Sequence, residues 1–577
     1  MSSTASFADS AAYAVANSAT KPAAERKTPD SAGRTAGIKR TKSWLPIGIA
    51  CLLGMAHTLC FAPTPHGGWL QFPILAIFFH LLRRTSGRGE AGLLGMAFGV
   101  GNFVTGLYWL FISMHLYGGM ASPLAAAAVF LFSLYLSVYP GLACASWRVC
   151  TSPRPWRRAA LPDADEANVA TSAAAAVIPQ SALCAIASAA LFGASWTLGE
   201  WLRGTMFTGF PWLSLGYAQV DGPLAGFAAW TGVYGISFVT AMLAALLALC
   251  IGAILKSQKI QALSAAMVIV LLAAVGILLP DWRFTHATQP PLTVRLLQGA
   301  VPQDIKFEQA GVDHAVALYQ HLITEKPADL IITPETALPF PIDYTPAAFA
   351  QATRAFADTT GSTILLGALG NIEQNGVRNY TNSSFALMPG QRVLYRYDKH
   401  HLVPFGEFVP WGFRWAVNLM QIPLGDLARG ALGQPPLLVK GERFAINICY
   451  EDLFGEEIAS TLRRQADPAT VLVNSSNLAW FGDTIALDQH LQIARMRALE
   501  MQRPVLNSTN TGVSSAIDSW GRVTARLPTE HAGALDTSVQ GMSGLTPYIR
   551  FGNIPVLCLA LLLLGAAWIR ALLRRQG

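Results

Sequence analysis

The sequence predicts a polytopic α-helical membrane domain of about eight spans, with an α/β domain facing water between its last two spans. Three observations predict it. Of the 577 residues, 52% are hydrophobic and 13% charged, against about 25% charged in an average soluble chain. The apolar residues gather into long runs, and a stretch at about 282–550 has ordinary polar composition and alternates short β-rich runs with helical patterns.

Residues 1–43 are rich in Ala, Ser and Thr with few large apolar side chains, so they predict a disordered cytoplasmic tail. They do not read as a secretory signal, because the first apolar run starts near Trp44 and further runs follow it. A spanning helix takes about 20 apolar residues. Such runs occur near 44–62, 69–82, 91–113, 123–147, 181–202, 223–254, 260–280 and 553–571, and a re-entrant second run would leave seven.

Cytoplasmic loops carry the excess of Lys and Arg. With eight spans, Lys39, Arg40 and Lys42, Arg83, Arg84 and Arg88, Arg148, Arg154, Arg157 and Arg158, Lys256 and Lys259, and Arg570, Arg574 and Arg575 all fall on one side, while 63–68 and 114–122 lack Lys and Arg. Both termini are therefore expected in the cytoplasm. The expected divisions are the tail at 1–43, seven spans in 44–281, the outward domain at 282–550, and the last span with a cytoplasmic end at 551–577. The net charge of +7 fits this orientation and not nucleic acid, since no aromatic-basic strip accompanies it.

In the outward stretch, strands are expected at Val294–Val301, Leu330–Thr333, Thr363–Leu369, Phe444–Cys449 and Val471–Ser475, with Arg495, Met496, Ala498 and Leu499 on an intervening helix. Seven cysteines lie in or beside apolar runs without disulfide or zinc spacing. Cys449 lies in the polar stretch. Alone it reads as a small buried hydrophobe, Glu335 as a helix-start carboxylate and Lys399 as a surface cation.

Each of the three, however, follows a strand, where open α/β sheets place their ligands. Together they read as an acid, a base and a nucleophile. A thiol attacks as thiolate and needs a proton acceptor, so Glu335 is expected to have its pKa raised by burial. Lys399, with the backbone N–H of Tyr450, would stabilise an oxyanion. His400 and His401 find no third ligand at useful spacing, so no metal is expected.

Glu335 in TPETALP, Lys399 in YDKHHLVPFGEFVP and Cys449 in NICYED resemble, in order and spacing, the Glu-Lys-Cys triad of the nitrilase superfamily. The longer pieces TGFPWLSLGYAQVDGPL, ICYEDLFGE, AWFG, QHLQIARMRALE and GLTPYIRFGN resemble its membrane-bound apolipoprotein N-acyltransferase family over nearly the whole chain after the tail. The resemblance implies an α-β-β-α sandwich held in the periplasm by a multi-pass bacterial inner-membrane domain. It further implies transfer of an acyl chain from a glycerophospholipid, typically phosphatidylethanolamine, through a Cys449 thioester to the α-amino group of an apolipoprotein's S-diacylglyceryl-cysteine. No cofactor is implied, and a monomer is the expected state. By the same resemblance Glu407 supports the lysine and acid positions, while Tyr450 and Glu451 shape the pocket.

The sequence departs from the family pattern at three places. Lys306-Phe307 stands for a Lys-Trp pair, Leu478 for an Asp, and Thr333 for a Trp before Pro-Glu. Phe307 keeps an aromatic for stacking on substrate; Leu478 loses a polar side chain. Two further expectations concern lipid. The aromatic run Val409–Met420, with Trp411 and Trp415, is either domain core or a lid resting on the bilayer. Glu200 and Arg203, one turn apart at the outer end of the fifth span, form an interfacial ion pair or a phospholipid headgroup contact. The rival readings are a membrane-anchored amidase or nitrilase using the same triad, and a transporter or scaffold whose outward domain is inactive.

Overall fold

The computed structural model describes residues 44–151, 182–374, 376–410, 412 and 426–576. The expected tail, Trp411 and Trp415 lie outside the described residues.

The membrane part begins with α1 (Leu45–His57), α2 (Gln71–Leu82), α3 (Arg88–Gly106), α4 (Trp109–Ile112), α5 (Ser122–Thr151), α6 (Ala182–Thr205), α7 (Ala228–Leu255) and α8 (Lys259–Leu278). All eight apolar runs contain helix among the described residues, but their lengths differ. Five helices are long and apolar enough to cross a membrane, and α3 with its continuation through Tyr117, bent by 54°, makes a sixth if the pair is one span. The apolar helices Leu45–Cys60 and Gly67–Leu82 are shorter than the expected spans. Pro63 and Pro65 lie between them, and a proline has no backbone N–H with which to continue a helix.

Small residues let these helices approach closely. A side chain at Gly101 in α3 would sit 2.0 Å from the Cys51 carbonyl of α1, and one at Gly95 2.4 Å from the Pro140 carbonyl of α5.

The α/β part follows. A seven-stranded sheet runs in the order β14 (Gly533–Val539), β2 (Leu292–Gln298), β3 (Leu330–Ile332), β5 (Thr363–Gln374), β6 (Val377–Leu387), β7 (Tyr395–Asp398), with β4 (Leu338–Pro341) also on β5. A six-stranded sheet runs β13 (Val523–Arg526), β12 (Ser515–Ile517), β11 (Val505–Thr509), β10 (Val471–Ser476), β9 (Glu442–Ile448), β8 (Leu437–Val439). Short β1 (Thr285–Ala287) and β15 (Met542–Gly544) pair at the domain's base. The centres are parallel, β2 beside β3 beside β5 and β9 beside β10 beside β11. This is the nearly continuous burial that parallel strands need on both faces.

Alternation assigns each residue its layer. Leu330 and Ile332 of β3, with Val471 and Val473 of β10, join the core between the sheets. Ile331 instead meets α9 (Gln309–Thr324) and α10 (Ala347–Thr360), and Leu472 meets α11 (Gly455–Arg464) and α12 (Ile485–Met501). The result is an α-β-β-α sandwich. The last helix, α13 (Ile554–Gln576), is long and apolar enough to cross a membrane and packs against α6 and α5.

One face of the sandwich sits directly on the membrane helices. Tyr450, Leu453, Phe454, Ile493 and Met496 belong to the same hydrophobic cluster as membrane-helix residues. Polar contacts cross there too: Trp212 Nε1 donates to Gln489 Oε1 at 2.7 Å, and Tyr217 OH to the Leu453 carbonyl at 3.1 Å. In α7, Gly232 takes a left-handed φ of +66°, and the neighbouring Val233 N–H donates to Glu500 Oε1 of α12 at 2.8 Å.

Candidate active site

Glu335 follows β3, Lys399 follows β7 at the edge of the same sheet, and Cys449 follows β9 of the other sheet. The cleft forms because the sheets stack face to face. Ser475 Oγ of β10 donates to the Thr333 carbonyl at 3.2 Å, tying the ends of the two sheets beside Glu335. Thr333 itself is fully buried, and its Oγ1 accepts the Gly367 N–H at 2.9 Å.

Lys399 is buried between two carboxylates, with Nζ 3.2 Å from Glu335 Oε1 and 3.0 Å from Glu407 Oε1. Asn382 of β6 bridges the same pair, its Nδ2 donating to Glu335 Oε1 at 2.6 Å and Glu407 Oε1 at 2.7 Å. The second oxygen of Glu335 accepts the Asn477 N–H at 2.8 Å. Glu407 Oε2 accepts the Val403 N–H at 2.8 Å, so Glu407 ties its own loop to the lysine. Burial opposes charge on Lys399, but Glu335 and Glu407 outweigh it and hold the ammonium above the ordinary lysine pKa.

Glu335 departs from expectation. Burial pushes its pKa up, yet Lys399, the Asn382 and Asn477 donors and Lys306 outweigh burial and bring it below the usual carboxylate value. The resting site therefore holds a carboxylate and not a poised neutral acid. Cys449 moves the other way: burial, then the charge of Glu335, raise the thiol well above its ordinary pKa, against the pull of Lys399. Deprotonation is uphill at rest, so proton transfer to Glu335 must accompany attack on the substrate.

Cys449 is partly exposed at the start of the 3₁₀ turn Cys449–Leu453, with a left-handed φ of +53°. Such backbone strain in a non-glycine residue persists only where surrounding contacts enforce it. Here Asn474 Nδ2 donates to the Cys449 carbonyl at 3.1 Å. Glu451 Oε2 accepts the Ile448 N–H at 2.6 Å, while its Oε1 accepts the His400 and His401 N–H groups at 2.6 and 3.1 Å. Tyr397 OH donates to both oxygens at 3.0 Å. Glu451 thus clamps the nucleophile turn to the lysine loop. Tyr450 OH donates to the Gly209 carbonyl at 2.9 Å, linking the turn to the loop after α6.

The other expected residues are placed as follows. Glu200 and Arg203 are buried and held by backbone and side-chain groups of the protein: Glu200 Oε1 accepts the Leu215 N–H at 2.9 Å and the Trp196 Nε1–H at 3.0 Å, and Arg203 donates to the Phe210 and Trp212 carbonyls, each at 2.6 Å, and to Ser214 Oγ at 2.9 Å. They shape the loop that receives Tyr450. Phe307 is half-buried, while Lys306 beside it points into the cleft. Leu478 is buried against Gly512, where an added Cβ would lie 2.8 Å from Leu478 Cδ1. The Nδ1 atoms of His400 and His401 engage the Gly430 carbonyl at 2.8 Å and Glu457 Oε1 at 2.9 Å. Sequence reasoning missed Asn382, Asn477 and Lys306. Lys306 carried a signal, as the polar neighbour of a noted aromatic, and Asn477 one as the neighbour of Leu478; Asn382 carried none without the fold.

A buried Glu-Lys-Cys constellation on an α-β-β-α sandwich, seated on a helical membrane domain, defines a membrane-bound protein of the carbon–nitrogen hydrolase class. Residues 293–548 match the family described as carbon-nitrogen hydrolase, and residues 53–246 match the apolipoprotein N-acyltransferase N-terminal domain. The chain belongs to the apolipoprotein N-acyltransferase family. It is 49% identical to the Ralstonia nicotianae apolipoprotein N-acyltransferase, covering 92% of this chain and 94% of that one. It is 42% identical to the Bordetella bronchiseptica enzyme of the same name over 92% and 98%, and 30% identical to that of Haemophilus influenzae over 93% and 97%.

Proposed function

We propose that this chain transfers a fatty acyl group from a membrane glycerophospholipid to the α-amino group of an apolipoprotein's N-terminal S-diacylglyceryl-cysteine. The single observation that carries this reading is the Lys399 ammonium shared by Glu335 and Glu407 beside Cys449, on the face of the sandwich docked to the membrane helices. Cys449 Sγ attacks the ester carbonyl as its proton passes to Glu335. Lys399 and the Tyr450 N–H stabilise the oxyanion. Glu335 returns the proton to the departing glycerol oxygen, leaving a thioester and a lysophospholipid. The acceptor amine then attacks the thioester, gives a proton to Glu335, and the thiolate leaves and recovers it. Ester, thioester and amide follow one another in ping-pong order.

Phosphatidylethanolamine is the proposed donor. The proposed setting is the bacterial inner membrane as a monomer, with residues 282–550 in the periplasm and both termini cytoplasmic, supported by the one-sided basic clusters. The test is mass mapping of the full-length protein in detergent after incubation with labelled phosphatidylethanolamine. A long-chain acyl adduct on Cys449 that a diacylated lipopeptide discharges is the expected result. Release of ammonia from a small amide, with no adduct, would replace this reading with an amidase.

A further inference from the structure

Lys306 lies in the loop after β2, and only about 3% of it reaches solvent. Its Nζ donates to Thr336 Oγ1 at 2.9 Å and sits 3.4 Å from the Glu335 carbonyl oxygen. Thr336, next to the acid, has a left-handed φ of +46°. The ammonium therefore grips the strained turn that carries Glu335.

The charges around the thiol show what else it does. Glu335 and Glu407, with Glu451 behind the nucleophile turn, bring carboxylates and Lys399 one positive charge. His490, below the Cys449 backbone, is kept neutral by burial, which lowers its pKa to about 4. Without another cation, this water-poor cleft would have to build a thiolate and then an oxyanion on top of an excess negative charge. Lys306 interacts electrostatically with both Glu335 and Cys449.

We propose that Lys306 is the second cation of the cleft: a positioning residue that fixes the Glu335 turn and balances the charge so that Cys449 can ionise. Burial brings the Lys306 pKa down to about 8, against the pull of Glu335 and Cys449, so a permanently charged arginine is the informative replacement. The inference rests on the acyl-transfer reading above and deepens it.

The test uses the full chain in detergent and follows iodoacetamide alkylation of Cys449 against pH, with peptide mapping to separate it from the other cysteines. In K306M, alkylation at pH 7 is expected to be roughly tenfold slower, the equivalent of about one unit rise in thiol pKa. K306R is expected to alkylate close to the wild-type rate, and both variants to melt near the wild-type temperature. Wild-type alkylation kinetics in K306M would overturn the proposal. So would equal loss in K306M and K306R with a lowered melting temperature, which marks a purely structural role. Failure of the acyl-transfer reading shows separately, as absence of a phospholipid-derived adduct on wild-type Cys449.

Discussion

Two of the regions where charge is buried among the described residues are wired differently. In the cleft, Glu335, Glu407 and Lys399 bond to one another and to Asn382, so their partners are largely side chains. At the junction with the membrane helices backbone groups take a larger share, beside the side chains of Trp196 and Ser214. Arg203 holds the Phe210 and Trp212 carbonyls, and Glu500, paired with Arg497 at 3.1 Å, accepts the Val233 N–H beside the Gly232 kink. A network of exchangeable side chains can move a proton and accept a developing charge. Charge anchored on peptide groups fixes the path of the chain. Both regions meet at the Cys449–Leu453 turn, whose Tyr450 reaches the Gly209 carbonyl and whose Leu453 carbonyl accepts Tyr217 OH.

This contrast predicts that substitutions in the cleft cost rate and those at the junction cost stability. Cys449→Ala should lower acyl transfer from labelled phospholipid to a diacylated lipopeptide by at least about 10⁴-fold with an unchanged melting temperature; residual transfer within tenfold of wild type would break the contrast. Glu335→Gln keeps the shape but loses the base, and a loss of about 10² to 10⁴-fold in rate is expected, read as slow appearance of the Cys449 acyl adduct.

Arg497→Met should act oppositely. It leaves Glu500 buried without its cation, at a cost of about 3–5 kcal/mol, seen as a lower unfolding midpoint while the molecules that stay folded keep most of their rate. A pH-dependent effect concerns Asp452, whose carboxyl burial pushes up to about 7, against Arg497. A carboxyl with a raised folded pKa stabilises the fold fully at pH below its unfolded value near 3.8, and that contribution is lost as pH rises through about 7. Asp452→Asn should therefore match wild type in melting temperature near pH 4 and exceed it at pH 8; parallel melting curves across that range would sever Asp452 from the junction.

Strand positions were legible because parallel core strands read as short apolar runs: Leu330, Thr363, Phe444 and Val471 each fall at or within two residues of an observed strand start. Helix lengths were less legible. Apolar composition marks what lies in the lipid layer, whereas prolines and loop contacts decide where a helix stops, so the first two runs came out shorter than spans. Glu200 and Arg203 show the same limit. Their spacing announced a pair near the membrane surface, but their partners are the Trp196 and Ser214 side chains and backbone atoms of Phe210, Trp212 and Leu215, most of which no periodicity identifies.

The sequence by itself determined the order of acid, lysine and thiol and that each follows a strand, because residue type and period act locally along the chain. The tertiary structure decided what those groups are. Glu335 and Lys399 lie 64 positions apart and meet only through the sheet they share, and Cys449 joins them only because a second sheet stacks on the first. A carboxyl's charge state depends on every donor within a few ångströms. Asn382, Asn477 and the two lysines hold Glu335 as a carboxylate where burial alone would have neutralised it.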